Sequence, residues 1–233
     1  MNFGAILAGG SGTRMHGSIP KQFLMLGGCP VLIRTLRVFL QCSELAHIYI
    51  AAPADWIGHT RQLVQTWCPE ASVTVLQGGG TRTDTLFALM DAIERRYGSR
   101  PEDRVVTHDA VRPFVTVQMI RDNIAAAADT GASGTAIPAV DTILQSEDGR
   151  VIDSIPPRGE MYQMQTPQTF SIPLLRATYA SLTRAEKARL TDGCGVLVAR
   201  GIPVRLSPGS PMNIKITTPI DLEMAQVLVQ RMS

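Results

Sequence analysis

The chain has 233 residues, of which 45% are hydrophobic and 18% are charged, and its formal net charge at pH 7 is +2. A chain of this size can bury the core of one large α/β domain. The small net charge, without a basic run interleaved with aromatic residues, argues against nucleic acid or a membrane surface as a partner.

The cysteines and the amino terminus indicate the compartment. The 4 cysteines are scattered without C-x-x-C spacing, which is typical of reduced thiols rather than of a disulfide framework or a zinc site. The first residues show no charged segment followed by an apolar stretch and a small-residue cleavage site. No apolar run approaches the ~20 residues that a membrane span needs. We therefore expect a cytoplasmic protein.

Short apolar runs alternate with segments of helical periodicity along the chain. The predicted strands are Phe3–Leu7, His47–Ala52, Ser72–Gln77, Arg104–His108, Gly134–Pro138 and Pro203–Leu206. The predicted helices are Val31–Gln41, Asp55–Trp67, Thr83–Tyr97, Val117–Asp129, Ile172–Ser181 and Pro219–Met232. This alternation predicts one α/β domain over residues 1–233, with a mostly parallel sheet covered on both faces. In such sheets ligands bind beyond the carboxyl ends of the strands.

The loop after the first predicted strand is rich in glycine. Gly9, Gly10 and Gly12 let the backbone approach a ligand closely, and successive backbone N–H groups there form a concave anion-binding surface. Arg14 and Lys21 add two cations, so we expect a polyphosphate site. A dinucleotide-binding fingerprint is excluded because position 15 carries methionine where the third glycine is needed, and no segment matches a Walker loop. The alternative is an ordinary glycine-rich turn.

Two further loops follow predicted strands. Gly78–Thr85 places three glycines before a helix, where N–H groups can meet a phosphate or a base edge; its alternative is a flexible turn with Thr83 as the N-cap. In the next loop, Asp109 is a candidate Mg²⁺ ligand or simply a turn residue. Arg112 is a candidate for a phosphate or hydroxyl contact, or a brace for the loop, and we expect His108 to be packed within its strand.

The stretch between the predicted strand Gly134–Pro138 and the helix at 172 departs from the alternation. Asp141–Gln145 and Arg150–Ser154 flank an Asp-Gly turn, which predicts a β-hairpin that ends at Pro156-Pro157. A hairpin inserted in a parallel scaffold has little core of its own, so we expect it to reach a partner surface. The alternative is a surface loop with a β-turn.

Near the carboxyl terminus, one short segment contains both a predicted helix start and a candidate phosphate-binding lysine. Thr218 at the N-cap, Pro219 at the first helical position and Asp221 in the first turn predict a helix start. Lys215 lies just before it and is available for a phosphate, although such a lysine is more often solvated.

Five blocks together carry a family resemblance: Ile6–Met15, Pro20–Gln22, His108–Pro113, Gln165–Gln168 and Asn213–Lys215. They resemble the cytidylyltransferases that act on polyol phosphates, a family that includes methylerythritol-phosphate and ribitol-5-phosphate enzymes. The segments Ile6-Leu-Ala-Gly-Gly, Ala52–Thr60 and Glu160–Gln168 are more similar to the ribitol branch. Gly80-Thr81 departs from that branch, where Thr-Asp is usual, and this puts a side-chain contact from Thr81 in doubt.

The resemblance implies a single Rossmann-like nucleotidyltransferase domain with an inserted hairpin arm at about residues 140–165, exchanged between the subunits of a homodimer. It implies CTP contacts at Leu7, Ala8, Gly9, Gly10, Gly79, Gly80, Thr81, Arg82 and Thr85. It implies catalytic cations at Arg14, Lys21, Arg158 and Lys215, with Arg158 serving the partner's site. It implies substrate contacts at Asp109, Arg112, Arg158, Thr191 and Lys215, with Mg²⁺ beside Asp109.

The expected reaction is cytidylyl transfer from CTP to D-ribitol 5-phosphate, giving CDP-ribitol and pyrophosphate. A phosphate monoester is already an anionic nucleophile near neutral pH, so positioning and cations matter more than a general base. Two alternatives stay open: the methylerythritol-phosphate enzyme of isoprenoid precursor synthesis, and a nucleotide-binding regulatory module without catalysis.

Overall fold

A computed structural model describes residues 1–9 and 19–232 of the chain. The strands are β1 Asn2–Leu7, β2 Met25–Leu26, β3 Cys29–Pro30, β4 Leu45–Ala52, β5 Val73–Gln77, β6 Arg104–Asp109, β7 Ala132–Pro138, β8 Tyr162–Ser171 and β9 Arg205–Pro208. The helices are α1 Val31–Leu40, α2 Ile57–Trp67, α3 Arg82–Tyr97, α4 Val117–Ala126, α5 Ile172–Ser181, α6 Arg184–Ala188, α7 Gly193–Val198 and α8 Pro219–Met232.

Seven strands form the main sheet, in the order β5-β4-β1-β6-β8-β7-β9. The half from β5 to β6 is parallel, and Ile6 in its centre lies opposite Ile50 on one side and His108 on the other. Strand β8 runs antiparallel between β6 and β7, and β9 is parallel to β7. The predicted α/β domain with a mostly parallel sheet is thus confirmed.

Helices cover both faces of the sheet. On one face, buried side chains of α1, among them Leu36 and Phe39, pack against Ile6 and Ile50 of the sheet. On the other face α3 contributes Leu89 and further apolar residues to a second cluster. Burial on both faces explains why the parallel strands are almost continuously apolar.

Strand β8 was not predicted, because its sequence is polar where it is most deeply buried. Gln165, Thr166, Gln168 and Thr169 all have at most 6% of their surface exposed, and a proline interrupts them. Buried polar side chains persist when they are hydrogen-bonded, as Thr169 is to Asn123 of α4. The pattern therefore lacks the apolar alternation by which a strand is recognised.

Helix boundaries also differ from the prediction in places. Thr81, not Thr83, is the N-cap of α3, and it forms a capping box with Asp84. The predicted fourth helix ends at Ala126 rather than Asp129. Helices α6 and α7, both short, were missed. A capping residue precedes each of them: Thr183 for α6 and Asp192 for α7.

The segment between β7 and β8, residues 139–161, is here called the arm. The predicted pairing of Asp141–Gln145 with Arg150–Ser154 is reduced to one antiparallel bridge, between Gln145 and Ser154. The turn is closed by the Asp148 carboxylate, which accepts hydrogen bonds from two backbone N–H groups, and by Gly149 at φ +70°. Residues 162–165, predicted to belong to the arm, are part of β8.

Among the described residues, no helix has both the length and the apolar character needed to cross a membrane.

Candidate active site

A cavity of about 380 Å³ opens at the carboxyl ends of β1, β5 and β6. Its lining residues are Leu7, Ala8, Gly9, Lys21, Gln22, Gly79, Gly80, Thr81, Arg82, Thr85, Asp109, Val111 and Lys215. Every described residue predicted to contact the nucleotide is in this set. Gly10 and Arg14, which were predicted to belong to the same site, lie outside the described residues.

The first wall of the cavity is the end of β1 and the turn that carries Lys21. Ala8 donates its N–H to the Ala51 carbonyl at 2.8 Å, which extends the β1–β4 pairing by one residue. The Gln22 side chain is 1% exposed and donates to the Ala8 carbonyl at 2.7 Å. This bond ties the 3-10 turn Lys21–Phe23 to the end of β1 and so places Lys21 on the cavity. Gln22 was missed as a site residue, although it belongs to the Pro20–Gln22 block.

The second wall is the loop that leads into α3. A Cβ on Gly79 would lie 2.4 Å from the Cβ of Asp84, so only glycine fits there without a shift of the loop. Thr85 accepts from the Gly79 N–H at 3.0 Å and donates to the Thr81 carbonyl at 2.8 Å. The two glycine loops meet, because a Cβ on Gly9 would lie 3.8 Å from Thr85 Oγ1. The N-terminus of α3 therefore faces the cavity, a favourable place for an anion.

The third wall centres on the Asp109 carboxylate, which is paired with three cations. Lys215 Nζ lies 2.9 Å from Asp109 Oδ2, Arg112 Nε 3.5 Å from the same oxygen, and Arg82 Nη2 3.4 Å from Oδ1. Burial alone would raise the pKa of this carboxyl, but the charges of Arg82, Lys215 and Arg112 outweigh burial and hold the pKa well below its usual range. Asp109 is thus a carboxylate at any physiological pH.

Behind Asp109, His108 is fully buried, as expected. Its Nδ1 lies 2.9 Å from the Thr166 hydroxyl, and its Nε2 lies 3.1 Å from the Arg112 carbonyl. The carbonyl can only accept, so Nε2 carries the proton and Nδ1 accepts from Thr166. Burial lowers the pKa of His108 to about 4. The neutral ring serves the structure of the loop, and Thr166 Oγ1 also accepts from the Asp109 N–H at 3.1 Å.

Three predicted substrate residues lie away from the lining of the cavity. Arg112 stands directly behind Asp109 and contacts it. Arg158 is exposed on the arm, where it donates to the Val140 carbonyl at 3.4 Å. Thr191 is exposed next to Asp192, the residue that caps α7 and accepts from Gln168 at 2.9 Å. Within one chain, the structure therefore brings neither Arg158 nor Thr191 to the cavity.

The donor set at the cavity suits a Mg²⁺ ion that arrives with a nucleotide. Within the described part of the chain, no group of three or more His, Cys, Asp or Glu side chains could hold a metal ion. Asp109 is the acidic residue among the described ones that line the cavity. Mg²⁺ is commonly bound by one or two carboxylates together with substrate phosphates and waters, so a single carboxylate fits that mode and not a protein-made cage.

The charges of the described lining residues favour a polyphosphate. Lys21, Arg82 and Lys215 carry three positive charges and Asp109 one negative charge, and the loops add backbone N–H groups at a helix start. Preorganised cations and N–H groups of this kind stabilise the charge that develops on a transferring phosphoryl group.

Comparisons with known proteins agree with this geometry. The model of the family "IspD: 2-C-methyl-D-erythritol 4-phosphate cytidylyltransferase" matches residues 4–231. The chain is also similar to solved structures of proteins whose names describe the same activity as this family. The 4-diphosphocytidyl-2C-methyl-D-erythritol synthase of Anaerococcus prevotii is 28% identical, with a TM-score of 0.83, over 99% of this chain and 96% of that one. The 2-C-methyl-D-erythritol 4-phosphate cytidylyltransferase of Thermus thermophilus is 30% identical, with a TM-score of 0.74, over 99% and 100%.

These matches do not support the ribitol acceptor that three sequence segments favoured, and they favour the methylerythritol alternative. They also argue against a regulatory module without catalysis, because the matched family is one of enzymes. The match over residues 4–231 shows that the chain belongs to the IspD family of cytidylyltransferases and is a nucleotidyltransferase.

Proposed function

We propose that the protein transfers the cytidylyl group of CTP to 2-C-methyl-D-erythritol 4-phosphate and releases pyrophosphate. The observation that carries the proposal is the family match over residues 4–231, together with a cavity that gathers the predicted nucleotide residues. D-ribitol 5-phosphate is the second candidate acceptor, favoured by the segments Ile6–Gly10, Ala52–Thr60 and Glu160–Gln168.

CTP occupies the cavity between the two glycine loops. The cytosine and ribose lie along Gly79–Thr85, where backbone groups are accessible because Gly79 and Gly80 carry no side chain. The triphosphate lies towards Leu7–Gly9 and the N-terminus of α3. Lys21 stands at the α-phosphate, and Arg14, which lies outside the described residues, is the second cation proposed for that phosphate.

The acceptor lies on the Asp109 side of the cavity. Its phosphate oxygen attacks the α-phosphorus in line; the new P–O bond forms as the bond to the β-phosphate oxygen breaks, and pyrophosphate leaves. Asp109 accepts hydrogen bonds from the polyol hydroxyls, Arg112 stands next to them, and Lys215 turns from Asp109 to the acceptor phosphate. No general base is needed, since the nucleophile is already an anion.

Mg²⁺, held by the phosphates and by Asp109, would neutralise part of the negative charge on the triphosphate when it is bound. The residues of the chain then have two tasks: to hold the acceptor phosphate in line with the α-phosphorus, and to stabilise charge on the α-phosphate oxygens.

Arg158 and the arm complete the site in a homodimer. Val140, Val151, Ile152 and Ile155 on the arm expose between 56% and 78% of their surface, which is unusual for apolar side chains on one short segment. An arm that reaches a second copy would cover them and would bring Arg158 to that copy's acceptor phosphate.

We also propose that the protein works in the cytoplasm. All four cysteines are free thiols, as expected in a reducing compartment.

Pyrophosphate release tests the proposal. Purified protein with CTP and Mg²⁺ is given methylerythritol 4-phosphate or ribitol 5-phosphate in parallel. Release with the methylerythritol compound alone supports the proposal; release with ribitol phosphate alone moves the protein to the second candidate.

A further inference from the structure

Lys215 lies in a segment without regular secondary structure, between β9 and α8. Its side chain is 41% exposed, yet its Nζ is held 2.9 Å from Asp109. An exposed lysine on an irregular backbone loses much conformational entropy when it is held in one place. The residues on either side of Lys215 must therefore fix the backbone from which it extends.

On the carboxyl side the anchor is Ile216. It is fully buried in the cluster that includes Val111 and Val229, and its N–H donates to the Val111 carbonyl at 2.9 Å. This contact attaches the segment to the chain two residues beyond Asp109.

On the amino side the anchor is Asn213, which is also fully buried. Its Nδ2 donates to the Thr166 carbonyl at 2.8 Å and to Gln165 Oε1 at 3.2 Å. Its own carbonyl accepts from Arg112 Nη1 at 2.8 Å. The Asn213 side chain thus joins the Lys215 segment to β8, and the Asn213 carbonyl joins it to the loop that follows Asp109.

One of these two residues of β8, Thr166, also positions Asp109, and the other, Gln165, fixes the chain just before Asn213. Thr166 accepts a hydrogen bond from the Asp109 N–H. Gln165 donates from Nε2 to the Ser210 carbonyl at 2.9 Å and accepts at Oε1 from the Ser210 N–H at 3.3 Å. The packing there is close, since a Cβ on Gly209 would lie 2.7 Å from Gln165 Oε1. Asp109 and Lys215 are therefore located relative to one common point, Gln165-Thr166.

We infer that Asn213 is a positioning residue: its buried amide, bonded to Gln165 and Thr166, sets the place of the Lys215 amine at the acceptor side of the cavity. Asn213 touches no reacting atom and acts through Lys215. What Lys215 does for catalysis rests on the proposed function, whereas the placement of its amine does not.

Asn213→Ala removes both side-chain hydrogen bonds. Because displacements of about 1 Å can cost on the order of 100-fold in rate, we expect kcat/KM for the acceptor to fall by about 10- to 100-fold, with KM for CTP changed little. In a Lys215→Ala background the same substitution should cost almost nothing more, since residues that act through one another are not additive. An equal loss in both backgrounds would show that Asn213 acts independently of Lys215 and would overturn the inference.

Asn123→Ala is the matched control. Asn123 is another fully buried asparagine, bonded to Thr135 and Thr169, and it is not among the residues that line the cavity. It should lose thermal stability as Asn213→Ala does but keep its turnover. If Asn213→Ala does not fold, Asn213→Ser, which keeps one donor, replaces it.

A second readout needs no substrate. The chain has only three lysines, Lys21, Lys187 and Lys215, so reductive methylation followed by mass spectrometry resolves each of them. An amine that is held 2.9 Å from a carboxylate is less accessible to the reagent than one that moves freely. We expect Lys215 to react severalfold faster in Asn213→Ala than in the wild type, with Lys187 as the internal reference and Asn123→Ala unchanged.

An unchanged rate at Lys215 would overturn the inference even if turnover fell. If the wild type releases no pyrophosphate with either acceptor, the proposed function fails, while the labelling still decides the role of Asn213.

Discussion

The cavity and the arm are built in opposite ways. At the cavity, Asp109, Gln22 and Thr85 each have at most 7% of their surface exposed and bond to neighbouring loops, so the polar groups that face a ligand are fixed before it binds. In the arm, the backbone is held by one antiparallel bridge and by short-range hydrogen bonds within the segment, and several apolar side chains are exposed. The cavity is held together by contacts within the chain, whereas the arm is proposed to be completed by the surface of a second copy. If the proposal holds, substitutions in the cavity should impair the nucleotide site of each subunit, and substitutions in the arm should impair assembly of the full site.

The largest expected effect tests the cavity. Lys21→Ala removes a cation at the proposed α-phosphate position, and we expect turnover to fall by about 1000-fold, as for loss of one transition-state donor. The far-ultraviolet circular dichroism spectrum should stay unchanged. The control is Lys187→Ala. The Lys187 amine lies over the ring of Tyr179, and this lysine does not line the cavity. Near-normal turnover in Lys21→Ala would contradict the assignment.

Asp109→Asn should affect both rate and stability. It leaves the buried guanidinium of Arg112 without its carboxylate, at a cost of about 3 kcal/mol in the free energy of unfolding at pH 7, and turnover should fall by about 100-fold. The pKa of Asp109 is lowered by folding, so its stabilisation is complete above the unfolded value of about 4 and is lost as pH falls towards the folded value.

Urea unfolding from pH 7 down to pH 3 measures this difference between wild type and Asp109→Asn. The gap should narrow below about pH 4. A gap that widens on acidification would mean that Asp109 is not held as a carboxylate by its cations.

The exchange of arms can be tested by mixing two weak variants. Arg158→Ala and Lys215→Ala should each lose most turnover. If the arm serves the partner's site, subunits unfolded together and refolded at equal amounts should regain about a quarter of wild-type activity, because half of the dimers are mixed and one of their two sites is intact. No recovery, with mixed dimers present, would place Arg158 in its own subunit's site.

Deleting Val140–Ser154 gives an independent readout of the arm. We expect the elution volume in size-exclusion chromatography to shift from dimer to monomer, with little change in the melting temperature of the core. A dimer of unchanged size would remove the arm from the interface.

The smallest effects come from a pair of glycines. Gly79→Ala should raise KM for CTP, since its Cβ would overlap Asp84. At Gly149 a Cβ meets nothing within 4 Å, and alanine costs only the strain of a positive φ, about 1 kcal/mol within the turn. Turnover of Gly149→Ala should equal that of the wild type, as measured under saturating and limiting CTP.

The sequence predicted those parts of the molecule whose signals are local. The glycines after β1 and before α3 predict a ligand-binding edge of the sheet, and at Gly79 the close approach of Asp84 leaves no room for a side chain. The apolar runs predict the parallel strands. Strand β8 could not be predicted, because Gln165 and Thr166 are polar residues that are nevertheless buried. Their hydrogen-bond partners, which make this burial possible, lie in distant parts of the chain. Asn213 could be recognised in the sequence only as part of the Asn213–Lys215 block. Its structural role could not be predicted, because its hydrogen bond to Thr166 joins residues 47 positions apart.

The identity of the acceptor also could not be predicted from local sequence motifs. Three segments resembled the ribitol branch, yet the comparisons favour methylerythritol phosphate. In the proposed site the polyol is selected by a few side chains around Asp109 and by Arg158 of the arm, and their joint arrangement depends on the dimer rather than on any one motif.

The most direct test of the proposed activity is pyrophosphate release from CTP and Mg²⁺ with each acceptor phosphate, using the 233-residue protein and, as the control, Lys21→Ala. We expect rapid release with 2-C-methyl-D-erythritol 4-phosphate, little with D-ribitol 5-phosphate, and about 1000-fold slower release with the variant. Release with ribitol phosphate alone would contradict the proposed acceptor. Equal release by Lys21→Ala would contradict the site itself.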